Sequence, residues 1–185
     1  MDHEHATRWF YDLVWPHRAD VLRLAQFMSG RQADADDLAQ ETLLKAFRKS
    51  NSFKEGSDTK AWLLKILRNA WLDRVRATAA HPARGLGDLS GEPAVLEVEQ
   101  AGEWTKPQEL LNDFSDQQII DALRQLPEEI CWTLLLVDVE GLGQQEAAEI
   151  LDIPLGTVKS RVHRGHAMLK IRLLPIARDR RLVRE

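Results

Sequence analysis

Across 185 residues the chain has one cysteine, one tyrosine and only 6% aromatic side chains. A lone Cys131 excludes an intrachain disulfide and any cysteine-based zinc site, and its setting in ICWTLLLV predicts a buried helical position. No apolar run approaches the roughly 20 residues that span a bilayer, and the N-terminal MDHEHATRWFYD carries neither a cationic leader nor a signal-type apolar stretch. The expected compartment is the cytoplasm, without membrane insertion. There is no glycine-rich phosphate loop and no Cys/His pair with an orienting group, so nothing marks an enzyme and no cofactor is expected. His3 and His5 sit near the terminus, while His163 and His166 lack a neighbouring cysteine or carboxylate set, so no metal site is expected either. The alternating patterns that mark strands are nearly absent.

What is present is helical periodicity, from Thr7 to Ala77 and again from Ser115 to Leu174. The chain reads as all-α. Helices are expected at 6–28, 34–49 and 58–77, separated by Ser29-Gly30 and by the loop Ser50 to Ser57, with Asp34 or Asp36 able to cap the second. Between 78 and 115 the pattern dissolves into three prolines, four glycines and seven acidic residues against two basic ones, which is the composition of a flexible linker. Beyond it, a helix from Asp116 to Leu126 leads to Pro127, whose fixed φ and missing N–H suit a helix start, and a second apolar helix runs to Glu140-Gly141. Two small helical domains, 1–77 and 116–185, therefore flank an acidic tether, 78–115.

The most informative stretch is GLGQQEAAEILDIPLGTVKSRVHRGHAMLKIR, residues 141–172. A first short helix, Gln144 to Leu151, is broken by Asp152-Ile153-Pro154, because proline cannot continue it. A second helix starts near Leu155 or Gly156 and places Val158, Val162, Gly165 and Leu169 on one buried stripe. Thr157, Ser160, Arg161 and Arg164 are expected on one exposed strip, with Lys159, His163, His166 and Lys170 on the next. This is a helix-turn-helix with a cationic second helix. A major groove about 12 Å wide admits such a helix, with Arg and Lys reading guanine or neutralising phosphate. Charge supports the assignment: the chain carries a net −4, yet from Asp116 to Asp152 nine acidic residues face one basic, and from Ile153 to Glu185 nine basic face two acidic. Phosphate attraction is thus confined to one surface.

With ALRQLPEE before it, DVEGLGQQEAAEILDIPLGTVKSRVHRG resembles region four of the extracytoplasmic-function sigma factors of the sigma-70 family. Upstream, DADDLAQETLLKAFRKSNSF and KAWLLKILRNAWLDRVR resemble region two of the same family, in the same order. The resemblance covers nearly everything except the linker and the extreme ends; residues 1–15 and 179–185 fit no motif. It implies an alternative sigma factor that binds core RNA polymerase, at the β′ clamp helices and the β flap, and directs it to promoter DNA under a cognate anti-sigma factor. By that resemblance Asp37, Leu38, Gln40, Glu41, Thr42 and Lys45 dock on polymerase. Phe53, Lys54, Lys60, Lys65, Arg68, Asn69, Arg74 and Arg76 grip the minus-ten element as single-stranded DNA, with Asn69 the best base-reading candidate. Thr157, Lys159, Ser160, Arg161, His163 and Arg164 read the minus-thirty-five element, near GGAAC in the family. The acidic Glu97, Glu99 and Glu103 of the tether are implied to mimic nucleic acid in the RNA exit path. Trp62 is expected in the core, whereas packing and base stacking both stay open for Trp71. The competing class is a sigma-like interaction protein that binds an anti-sigma factor or polymerase without reading promoters.

Overall fold

The computed structural model describes residues 3–80 and 116–179, and among these it is built from helices without a strand. They fall into two compact units, one on each side of the acidic segment. The linker expectations at 81–115, including Glu97, Glu99 and Glu103, lie outside the described residues, as does the tail beyond 179.

The first unit contains α1 (His3–Trp9), α2 (Arg18–Ser29), α3 (Gln32–Arg48) and α4 (Thr59–Ala80). A single helix over 6–28 is not what forms. A wide π turn at Phe10–Val14 and a 3-10 turn at Trp15–His17 interrupt it. Pro16 is the physical reason: it has no N–H to give and its ring clashes with the carbonyl four residues back, so the hydrogen-bond register must change around it. Gly30, at φ +68°, closes α2 in the left-handed conformation and donates its N–H to Gln26 at 3.2 Å. Helix α3 begins two residues earlier than expected, with Arg31 at its extended N-cap and no side-chain cap. Neither Asp34 nor Asp36 caps it; Asp34 lies within the first turn, where its charge suits the helix dipole. Helix α4 starts behind Asp58, whose Oδ1 accepts the Ala61 N–H at 2.8 Å, and continues three residues past the expected end. Its Leu63, Leu64, Leu67, Ala70 and Trp71 are buried against Val21, Leu24 and Ala25 of α2 and Ala35, Leu38 and Ala46 of α3. Trp71 is thus a core residue. Trp62 is only half-buried, which corrects the expectation for it.

The second unit contains α5 (Asp116–Arg124), α6 (Glu128–Leu134), α7 (Gln144–Leu151) and α8 (Leu155–Asp179). Pro127 is the N-cap of α6, and a π turn at Leu135–Val139 extends α6 toward Gly141, which takes φ +70°. Ile130, Cys131, Trp132, Leu134, Leu135 and Leu136 are buried here. Burial, with Glu128 nearby, pushes the Cys131 thiol up to about 12, so it serves packing and not chemistry. No helix among the described residues is long and apolar enough to cross a membrane.

Candidate nucleic-acid interface

The turn between α7 and α8 is set by local chemistry. The Glu146 side chain accepts the Gly143 N–H at 2.8 Å and so closes the start of α7. At the other end Asp152 adopts φ +56°, and the Ile153 N–H returns to the Ala148 carbonyl at 3.1 Å. Aspartate is among the few non-glycine residues that tolerate this region. Pro154 then offers its carbonyl to the N–H groups of Thr157 and Val158, launching α8 in a new direction.

Val158, Val162, Gly165 and Leu169 are all buried, as their spacing predicts. Gly165 lets α8 lie close on α6: a Cβ there would lie 2.7 Å from Leu134 Cδ1 and 2.8 Å from Ile130 Cγ2. Two polar links flank it. Arg161 pairs with Glu129 in the first turn of α6, leaving its side chain only 13% exposed, and His166 Nε2 lies 2.8 Å from Asp138 Oδ2. Arg172 donates to the Gln125 carbonyl at 3.0 Å. One side of α8 is therefore stitched to its scaffold. The opposite side presents Gly156, Lys159, Ser160, His163 and Arg164, all exposed and spaced i, i+3, i+4, i+7 and i+8. The strip predicted from spacing included Arg161 and a half-buried Thr157; the structure turns Arg161 toward Glu129. The Ser160 hydroxyl donates to the Thr157 carbonyl at 2.9 Å, so its lone pairs are what remain to offer.

In the first unit, Glu41 joins α3 to α4. Its Oε2 accepts from Arg74 Nε at 2.9 Å and Nη2 at 2.8 Å, while Oε1 lies 2.8 Å from Lys45 Nζ. Arg74 also donates to the Asp34 carbonyl at 3.2 Å. Burial works against the Glu41 charge, but the hydrogen bonds from Lys45 and Arg74 outweigh it and hold the carboxyl below its ordinary value. Arg74, expected on the DNA-facing set, is spent on this link. Leu38 and Thr42, expected on the polymerase-docking set, are fully buried, and Thr42 Oγ1 donates to the Leu38 carbonyl at 2.8 Å. They hold α3 in place because they fall on its core stripe with Ala35, Ala39 and Ala46. Beyond its first turn, where Gln32 and Ala33 are exposed, α3 exposes Asp37, Gln40, Arg48 and Leu44, the last at 56%. Leu44 was missed by sequence reasoning, although its position off the core stripe was a usable signal. On α4 the exposed stripe is Lys65, Asn69, Asp73 and Arg76, with Lys60 and Arg68 half-buried beside it. The loop before α4 adds exposed Lys54 and half-buried Phe53.

Residues 13–81 match the family description "Sigma-70 region 2", and residues 116–169 match "Sigma-70, region 4". The chain belongs to the extracytoplasmic-function sigma factors of the sigma-70 family. It is 32% identical to the ECF RNA polymerase sigma factor SigM of Mycobacterium tuberculosis over 90% of its own length and 79% of that protein. To SigE of Mycolicibacterium smegmatis it is 36% identical over 86% of its own length, spanning 59% of that longer protein. Among solved structures it superposes on the sigma factor RpoE of Bartonella quintana, in a complex with the anti-sigma factor NepR, with a TM-score of 0.68 and 27% identity over 89% of this chain and 96% of that one. CnrH, solved with the cytosolic domain of CnrY, shares the fold at a TM-score of 0.63 and 22% identity over 90% of this chain and 88% of that one. As a member, this protein is an alternative sigma factor that directs RNA polymerase to promoters. Such factors are generally non-enzymatic transcription regulators.

Proposed function

We propose that this sigma factor reads promoters at two points and that each unit divides its charged residues between scaffold and DNA. In the second unit, Lys159, Ser160, His163 and Arg164 enter the minus-thirty-five major groove, with Gly156 letting the backbone approach. The observation that carries this is the stripe at 156, 159, 160, 163 and 164, exposed directly opposite the buried stripe that packs on α6. Arg161 acts from behind, holding α8 to Glu129. In the first unit, the loop with Phe53 and Lys54 and the α4 residues Lys60, Lys65, Arg68, Asn69 and Arg76 hold the minus-ten strand, with Asn69 reading a base. The exposed α3 face, Asp37, Gln40 and Leu44 with Glu41 and Lys45 at its edge, docks on the β′ clamp helices, and the second unit meets the β flap. Leu44, 56% exposed, adds apolar area that docking would take out of water. A cognate anti-sigma factor is the expected regulator, as for the related RpoE solved with the anti-sigma factor NepR. The protein works in the cytoplasm, needs no cofactor and catalyses nothing itself.

The deciding experiment is transcription by purified core polymerase and this protein from a library randomised at both promoter elements. Enrichment of one sequence pair at a set spacing is expected. If core binds the protein yet no sequence is enriched, the promoter-reading assignment is wrong and the protein is a sigma-like binder only.

A further inference from the structure

The N-terminal α1 helix lies outside the matched region, which begins at residue 13, and no motif accounts for it. Its last residue, Trp9, closes a triangle of rings with Phe53 and Trp62. The ring centroids are 5.3 Å apart for Trp9–Phe53, 5.8 Å for Trp9–Trp62 and 5.2 Å for Phe53–Trp62, with interplanar angles of 57°, 83° and 74°. Tilted and edge-on geometries at these separations are the attractive ones for aromatic pairs. The three rings come from three places: α1, the loop before α4, and the first turn of α4.

Between buried Ser50 at its start and the Asp58 cap at its end, the loop has few other ties. A short 3-10 turn at Ser50–Ser52, a return of the Ser57 N–H to the Lys54 carbonyl and a Gly56 at φ +82° are local features of the loop itself. Phe53 is the ring that ties it to the rest of the unit, and exposed Lys54 follows directly. Where Phe53 sits therefore decides where Lys54 and the loop backbone sit, relative to Asn69 two turns along α4 from Trp62. We propose that Trp9 is a positioning residue for minus-ten recognition: it wedges Phe53 against Trp62 and holds the loop in a base-accepting shape. This rests on the assignment of the loop and α4 to the minus-ten strand. A preorganised pocket discriminates between bases; a loop that samples several shapes loses discrimination before it loses charge-driven binding.

The test uses the full chain with core polymerase on the promoter enriched from the randomised library. The quantity read is the ratio of initiation on the enriched minus-ten element to initiation on its single-base variants. Loss of folded protein lowers both rates alike and cancels in that ratio, so a merely structural role would not move it. Trp9→Ala is expected to lower the ratio about tenfold, the scale of two lost aromatic contacts, with core affinity and minus-thirty-five preference unchanged. Trp9→Phe, which keeps a ring, should restore most of it. An unchanged ratio in Trp9→Ala, or equal losses in both variants, overturns the proposal. Asn69→Ala separates the two levels: if it lowers the ratio while Trp9→Ala does not, only the positioning role fails. If neither lowers it, the minus-ten assignment fails and the role of Trp9 fails with it.

Discussion

The two helices assigned to DNA, α4 and α8, bury stripes of different width, two neighbouring positions per turn in α4 and one per turn in α8. Helix α4 is buried along much of its length, through Leu63, Leu64, Ile66, Leu67, Ala70 and Trp71, and exposes a narrow line at Lys65, Asn69, Asp73 and Arg76. Helix α8 is held by a thin seam at Val158, Val162, Gly165, Leu169 and Leu173, flanked by the links from Arg161, His166 and Arg172, and exposes the face at Gly156, Lys159, Ser160, His163 and Arg164. A helix that must enter a groove has to protrude, and a thin seam permits that. A strand whose bases are splayed out is better met by a wall with a loop beside it. Each helix also gives up arginine to its scaffold, Arg74 to Glu41 in α4, and Arg161 to Glu129 and Arg172 to the Gln125 carbonyl in α8.

A seam that thin depends on close approach, and Gly165 is its weakest point. Gly165→Val is expected to destabilise the second unit by about 3 kcal/mol through overpacking against Ile130 and Leu134, outweighing the gain in helix propensity; thermal denaturation would show it, and an unchanged midpoint would mean the two helices sit farther apart. The arginines should separate next. Arg164→Ala is expected to cost roughly 1 to 3 kcal/mol on the preferred minus-thirty-five duplex and less on altered ones, whereas Arg161→Ala should weaken all duplexes alike. Quantitative binding to both sets of duplexes checks this, and a base-selective loss from Arg161→Ala would put that residue back among the readers.

In the first unit, Arg74→Ala should cost about 1 kcal/mol in folding stability, since the Glu41 pair is partly screened by solvent, with no change in minus-ten base preference. A shift in that preference would return Arg74 to the DNA face. The smallest effect concerns acid. Because the folded state holds the Glu41 carboxyl below its unfolded value near 4.5, this group adds stability above that pH and loses it as pH falls through the lower folded value. The stability gap between the natural chain and Glu41→Gln should therefore close on acidification. Denaturation at a series of pH values tests it, and a gap constant down to pH 3 would show that the link to Arg74 and Lys45 does not depend on the charge.

Most of the second unit was legible in the residues. The bounds of α7, the break at Asp152 to Pro154 and the buried stripe of α8 follow from proline, a left-handed cap and a 3.6-residue period, all local properties. The burial of Cys131 followed from its apolar neighbours in the same way. The first unit was legible only in outline. Motif matching grouped Leu38 and Thr42 with Asp37 and Gln40, although a helix sends neighbours 100° apart to different faces; periodicity alone turns Leu38 and Ala46 toward the core, where they lie.

Sequence alone determined that the chain is helical, that it carries two motif blocks of one family, and where the recognition helix begins. Periodicity, proline and charge act within a turn or two of the chain, so they can be read one residue after another. Only the tertiary structure decided which arginines are tied to distant carboxylates. Arg74 and Glu41 are 33 residues apart and Arg161 and Glu129 are 32 apart, and no helical period links them. The same holds for Trp9, whose place beside Phe53 and Trp62 exists only once α1 folds across the loop.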